Sequence, residues 1–174
     1  MMRSKCDMQP PAGPSTRSQR RRLLARTALC GVLAGLTWIN ADPARALPDG
    51  GIAEVNAGGG LPVITSTVGS TTVNLNAPRT VLSWITYNLN PDETVTYNFG
   101  ARNWIVLNKV IGLQQSKIEG TVVGKVGSDF GGNIWFVSNN GIIFGAGSHI
   151  DAGSIVAAIG TPDTRGFLDP TNNL

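Results

Sequence analysis

Short apolar runs separated by turn residues fill most of the chain between residues 47 and 160. One run alternates cleanly, with Val95, Tyr97 and Phe99 on one side of the backbone and polar residues between them. This period of two predicts a β-strand with one buried face. Because no window has the spacing of an amphipathic helix, the pattern as a whole predicts an all-β fold.

Further strands are predicted where β-branched and aromatic residues cluster between Gly, Pro and Asn. They lie at 52–55, 62–66, 71–75, 81–89, 94–99, 104–107, 118–123, 134–137 and 142–144. The run at 104–107 is apolar enough to be buried on both faces, and Asn108 and Lys109 are expected to interrupt it. Strands that recur every ~10–16 residues are typical of a sandwich, a barrel or a solenoid.

The segment Ser138-Asn139-Asn140-Gly141 separates two of the apolar runs. Asn-Gly tolerates positive φ at both positions, so the backbone can turn sharply there. Two interpretations stay open from the residues alone. The segment is either the turn of a β-hairpin, or a corner between strands that lie on different faces of a coil.

Charge divides the 174-residue chain into two parts. Residues 1–46 hold eight basic and two acidic residues, whereas 47–174 hold six basic and nine acidic residues. The mildly acidic second part argues against a nucleic-acid-binding surface. Both cysteines, Cys6 and Cys30, precede residue 47, so the second part has no disulfide scaffold, cysteine metal site or cysteine nucleophile.

Residues 1–46 have the organisation of a secretory signal peptide. Arg20-Arg21-Arg22 precede an apolar run of 13 residues, Thr27 to Ile39, and Ala44-Arg45-Ala46 is a small-residue cleavage site. A membrane span needs ~20 apolar residues, so this run is too short for an anchor. We therefore predict export by the Sec machinery or the twin-arginine route, with cleavage after Ala46. Translation starts at Met1 or at Met8.

No catalytic constellation is recognisable in the sequence. The only histidine, His149, is expected to be a surface residue in a turn. The carboxylates of Asp92, Glu93, Asp129 and Asp151 are expected to be solvated loop charges rather than an acid/base pair. We therefore expect no enzymatic activity, no cofactor and no metal site.

In the order and spacing of several segments, the chain resembles the amino-terminal secretion domain of the filamentous haemagglutinin family. The matching segments, which cover about 47–160, are Leu47-Pro48-Asp49-Gly50-Gly51, Val81 to Leu89, Glu93 to Val95, Tyr97 to Phe99, Leu107 to Val110, Ile118-Glu119-Gly120, and Asn140 to Gly145 with Ile150. These exoproteins belong to bacterial two-partner secretion systems. The family shows Asn-Pro-Asn-Gly-Ile at the corner, where this chain has Ser138 to Ile142.

The resemblance implies a right-handed parallel β-helix, a solenoid with extra-helical capping strands. It divides the chain into a signal peptide at 1–46, a two-partner-secretion domain at 47–160, and a polar tail or the start of a missing continuation at 161–174. Corner or partner-recognition roles are expected for five residues: Asn108, Asn139, Asn140, Gly141 and Ile142.

The expected partner is a TpsB-type transporter in the outer membrane, which binds the domain through its periplasmic POTRA modules. The resemblance also implies that the chain crosses the periplasm largely unfolded, seeds folding of the β-helix outside, and is secreted or held at the cell surface. A host or cell-surface ligand would bind through a missing downstream region.

Two alternative functions are compatible with an all-β chain. One is a β-helix polysaccharide lyase or hydrolase, which would need clustered charged side chains on one sheet face. The other is a surface module that binds carbohydrate through Trp84, Trp104 or Trp135. Their apolar neighbours favour core or cap positions for these tryptophans instead.

Overall fold

The structure is a computed structural model that describes residues 46–56 and 58–172, so the predicted signal peptide lies outside the described residues apart from Ala46. The strands are β1 (Ile52–Val55), β2 (Gly60–Thr67), β3 (Ser70–Asn76), β4 (Arg79–Trp84), β5 (Thr94–Asn98), β6 (Ile105–Val110), β7 (Ser116–Ile118), β8 (Thr121–Val126), β9 (Asp129–Phe130), β10 (Asn133–Ser138), β11 (Ile142–Phe144), β12 (His149–Asp151) and β13 (Ser154–Ile159). One short helix, α1 (Thr164–Leu168), follows them. In this part of the chain no helix has the length and apolarity to cross a membrane.

Parallel strands stack into a solenoid that has three faces. The first face contains β4, β6, β10 and β13, and the second contains β3, β5, β8 and β12. A narrower third face contains β7 and β11. The chain visits the faces in the same order in each coil and completes about three turns. The predicted parallel β-helix is therefore confirmed.

The coils stack in register, so equivalent residues lie one above another. On the first face Arg79 pairs with Ile105, Ile105 with Asn133, and Asn133 with Ser154. Because side chains alternate along each strand, every second residue points into the coil and fills one continuous core. The largest fully buried side chains are those of Trp84, Tyr87, Tyr97, Phe136, Leu82, Leu89, Ile118 and Ile134.

Antiparallel strands cap the first coil, as the resemblance implied. β1 pairs antiparallel with β4, and β2 pairs antiparallel with β3 through a tight turn at Val68-Gly69. An antiparallel strand does not follow the path of the coils, so β1 and β2 close this end of the solenoid.

The prediction that Asn108 and Lys109 interrupt a strand is wrong. β6 runs through both residues, and Asn108 faces the interior with 0% of its surface exposed. The strand continues because the Asn108 amide finds hydrogen-bond partners inside the coil, which offsets the cost of burying it. Asn108 is therefore not a corner residue.

The predicted strand at 118–123 is two strands, β7 and β8, which lie on different faces. The break falls at Glu119-Gly120. A Cβ atom at Gly120 would collide with the backbone carbonyl oxygens of Asn90 and Glu93 in the preceding coil. Glycine therefore allows the two coils to approach closely at this corner. Similarly, the predicted strand at 81–89 ends at Trp84, and Leu89 makes only an isolated parallel bridge to Ile118.

The segment beyond residue 160 is not merely a polar tail. Helix α1 packs Phe167 against Val81 and Leu107 on the outer side of the first face. The guanidinium of Arg79 donates hydrogen bonds to the carbonyl oxygens of Phe167 (3.0 Å) and Asp169 (2.6 Å), and a third to that of Asn172. Arg79 thus holds the segment after α1 on the sheet.

We expect Arg79→Met to release α1 while leaving the coils intact. The charged hydrogen bonds to three carbonyl oxygens would be lost, so the opening free energy of the α1 amides should fall by about 1–3 kcal/mol. Hydrogen exchange at residues 163–172 measures this change. Arg165→Met, on an exposed position of the same helix, is the matched control. Equal exchange in the two variants would contradict the role of Arg79.

Candidate functional site

The Asn-Gly segment is a corner of the solenoid, not a hairpin. β10 ends at Ser138 and pairs with β6 and β13, whereas β11 begins at Ile142 and pairs with β7. The two strands do not pair with each other. Gly141 carries the turn with φ +84°, a left-handed conformation that glycine adopts without steric cost.

Side chains at this corner tie successive coils together. The Asn140 Nδ2 donates to the carbonyl oxygen of Gly112 in the preceding coil, at 2.8 Å. The hydroxyl of Thr161, which lies just after β13, donates to Asn139 Oδ1 at 3.1 Å. Asn139 and Asn140 are exposed, Gly141 is buried, and Ile142 is half-buried. The structure therefore brings four of the five predicted site residues together at one corner.

Aliphatic side chains remain exposed at the same corner. Trp84, Val110 and Ser138 lie in register at the ends of their strands, so the residues that follow them stack as well. The first two of those followers, Ile85 and Ile111, are 53% and 50% exposed, and Leu113 nearby is 88% exposed. We call this set the corner surface: Ile85, Ile111, Leu113, Asn139 and Asn140. Exposed apolar side chains next to polar ones are typical of contact surfaces.

Asn108, the fifth predicted site residue, belongs to a buried hydrogen-bond network. Its Oδ1 accepts from Trp84 Nε1 at 2.9 Å and from the Tyr97 hydroxyl at 2.7 Å. Its Nδ2 donates to the carbonyl oxygen of Trp135 at 3.3 Å. The network extends to Tyr87, whose hydroxyl oxygen lies 2.9 Å from that of Tyr97. One amide thus joins three strands of the first face to one of the second.

The two phenols stay protonated because burial raises the pKa of Tyr87 and of Tyr97 well above the ordinary value. Protonated hydroxyls can donate to Asn108 and to each other without placing a charge in the core. The rings of Tyr87 and Phe136 also meet edge to face, with centroids 5.0 Å apart. The network therefore stabilises the coil interior rather than offering a titrating group.

Sequence reasoning missed Trp84, Tyr87 and Tyr97 as members of this network. The available signal was the alternation that places Tyr97 on the interior face, since a buried phenol or indole N–H usually needs a polar partner. That rule indicates that Tyr97 must find an acceptor but does not identify it. The pairing with Asn108 depends on how the coils stack.

Trp84 lies in the core and Trp104 packs against it, as their apolar neighbours favoured, whereas Trp135 lies on the outer side of the first face. Trp84 is 1% exposed and cannot contact a glycan while the domain is folded. Trp104 is half-buried and covers Gly100, and Trp135 packs against Phe167 with ring centroids 5.8 Å apart.

The candidate acid/base groups lie in different environments. His149 Nε2 is 3.1 Å from Asp151 Oδ2 on the outer side of β12. Asp129, in the short strand β9, pairs with Arg102 at 2.9 Å, and both side chains are exposed. Glu93 is buried, contrary to the expectation of a solvated charge. Within residues 46–56 and 58–172, no group of three or more His, Cys, Asp or Glu side chains could hold a metal ion.

Fold and corners together define a capped parallel β-solenoid whose coils meet at amide-rich corners. A family model, the TPS secretion domain, matches residues 44–173. The match covers most of the chain, so the chain belongs to the TPS secretion domain family. It extends beyond residue 160 and includes α1 and the segment that Arg79 holds.

Membership implies a targeting role in two-partner secretion and interaction with a TpsB-type transporter of the outer membrane. Proteins with this domain are secreted, which is consistent with an extracellular or cell-surface location. The family is a secretion-targeting family and not a known enzyme family. A comparison with curated proteins finds no match.

We expect Asn108→Leu to destabilise the domain by roughly 2–4 kcal/mol. Leucine fills a similar volume but leaves the Trp84 N–H and the Tyr97 hydroxyl without their acceptor, and each unsatisfied buried donor costs about 1–3 kcal/mol. Equilibrium denaturation measures the loss. Asn98→Leu makes the same chemical change on the half-buried outer side of β5 and should cost far less. Equal losses would contradict a special role for Asn108.

Gly141→Ala is expected to cost at least about 1 kcal/mol, because alanine is strained at positive φ. Gly141→Asn is the control, since asparagine tolerates the left-handed region better than alanine does. Thermal melting of both variants tests whether Gly141→Ala is the less stable of the two. If alanine were as stable as the parent, strain at this corner would not be the reason for the glycine.

Proposed function

We propose that the periplasmic POTRA modules of the transporter recognise the corner surface. The supporting observation is the exposure of Ile85, Ile111 and Leu113 beside the amides of Asn139 and Asn140. Aliphatic side chains supply the apolar contact area of a recognition site, and neighbouring amides supply directional hydrogen bonds.

Of these aliphatic side chains, Leu113 has the smallest packing role in the folded domain, whereas Ile85 and Ile111 are about half buried. Leu113 is 88% exposed, so folding uses almost none of its apolar area. A partner can therefore reach it both in an extended chain and after the coils have closed. The same property makes substitutions here informative, because a loss of recognition can be separated from a loss of folding.

The proposed route begins with Sec export of the chain and removal of its signal peptide. The domain then reaches the transporter from the periplasm, largely unfolded, so the POTRA modules first meet the residues of the corner surface in an extended chain. The coils form on the outside. The mildly acidic sequence after residue 46 and the absence of cysteine there are compatible with this route. Twin-arginine export is the alternative for the first step.

We also propose that the last coil seeds the folding of further coils. β13 pairs with β10 along one edge, and its other edge has no strand partner among the described residues. All six of its residues are exposed. The free N–H and C=O groups of such an edge can template the next parallel strand.

The recognition proposal predicts that Ile111→Asn and Leu113→Asn weaken binding to purified POTRA modules of the cognate transporter by roughly tenfold, because each substitution removes apolar area that the partner would bury. Secretion of the full chain should fall in parallel, while thermal melting of the Leu113→Asn variant stays unchanged because that side chain is 88% exposed. Val68→Asn is the matched control, since Val68 is 77% exposed but lies in the turn between β2 and β3.

Two results would count against this proposal. Equal binding by the corner variants and the Val68→Asn variant would remove the corner surface from recognition. Unchanged secretion of both corner variants would do the same, even if binding in solution were altered.

A further inference from the structure

Glu93 is a buried carboxylate at the point where the leader joins the domain. The residue is 3% exposed and directly precedes β5. Its Oε1 accepts a hydrogen bond from the backbone N–H of Ala46 at 2.9 Å. Its Oε2 accepts from the backbone N–H of Asn90 at 2.8 Å. Both oxygens therefore depend on neutral amide donors.

No cationic side chain pairs with Glu93 among the described residues. The ion pairs in this part of the chain join Arg102 to Asp129, Lys117 to Glu119, and His149 to Asp151. Removing a carboxylate from water is costly unless a positive group compensates. The position of Glu93 therefore requires an explanation beyond packing.

The backbone beside Glu93 is held firmly. Leu47 packs against the core cluster, and Pro48 is buried. Asp49 donates its backbone N–H to the carbonyl oxygen of Thr86 at 3.0 Å, and its backbone carbonyl oxygen accepts from the N–H of Ile85 at 2.8 Å. Residues 47–49 thus cannot move far from Glu93.

We propose that removal of the leader supplies the missing positive group: the new α-ammonium of Leu47 binds the Glu93 carboxylate. Hydrolysis of the Ala46–Leu47 peptide bond by the signal peptidase consumes one water. It leaves a carboxylate on Ala46 and an ammonium group on Leu47. The inference rests on the proposed export and on cleavage after Ala46.

The exchange replaces a neutral donor with a charged one. Cleavage removes the Ala46 N–H from Oε1. The Leu47 nitrogen belongs to the next residue of the same anchored segment, and neighbouring Cα atoms are only about 3.8 Å apart. Charge-assisted hydrogen bonds are roughly twice as strong as neutral ones. The processed chain therefore holds its first residues more tightly than the precursor does.

The ion pair would also fasten the start of the domain to the solenoid. The backbone carbonyl of Glu93 accepts from Thr121 N at 2.9 Å, and Thr121 begins β8 in a later coil. Glu93 would then bind the chain terminus, the turn at Asn90 and the next coil at the same time. Processing in this scheme completes the folded cap as well as releasing the leader.

The test compares the processed chain with the unprocessed chain made without export, each with and without Glu93→Gln. Glutamine keeps the shape and one acceptor oxygen but cannot pair with an ammonium group. We expect Glu93→Gln to lower the folding equilibrium constant of the processed chain about tenfold more than that of the precursor. Asp92→Asn, at the exposed neighbouring carboxylate, should have the same small effect on both forms.

A second readout follows the terminal amine directly. Acetylation of the Leu47 α-amine, measured by mass spectrometry, should be about tenfold slower in the folded processed chain than in its Glu93→Gln variant. Equal acetylation rates would overturn the proposal, as would equal effects of Glu93→Gln on both forms. Cleavage at another bond would overturn it too. Because no transporter takes part, none of these results bears on recognition of the corner surface.

Discussion

The in-register stacking of parallel strands is the constraint on which the rest of this structure depends. Side chains alternate in and out along each strand, so a slip of one residue in any coil would turn its whole apolar set toward solvent. Asn108 makes the register specific. Its oxygen accepts from Trp84 and Tyr97 only when β4, β5 and β6 lie at matching heights. A leucine there would fill the space without distinguishing one register from another.

The sequence predicted those parts of the fold that depend on local signals. The alternation at Val95, Tyr97 and Phe99 predicted an interior face, and all three side chains are buried. Asn140-Gly141 predicted a sharp change of direction, because the positive φ is a property of the residues themselves. Whether that change made a hairpin or a corner was not a local question. It depended on β6 and β7, which lie about one coil earlier in the chain.

The remainder could not be predicted because it arises from contacts between coils. Asn108 looked like a break, since an amide inside an apolar run is unfavourable unless partners surround it. Those partners lie on separate strands, so the order of residues along the chain did not identify them. Phe167 likewise appeared in a polar segment, and only the outer side of β4 and β6 explains its burial. The corner surface had no sequence signal either, because Ile85 and Ile111 resemble core residues until the register places them outside.

The two ends of the solenoid differ, and this difference gives it a direction. At one end the outermost strands are β1 and β2, which run antiparallel to their neighbours. A further coil cannot continue from them with the same path. At the other end the outermost strands are β12 and β13, which are parallel to the coils beneath them. A chain that formed its coils from the capped end would therefore add strands in one direction only. That asymmetry is what a domain needs if it is to seed a longer solenoid as the chain emerges.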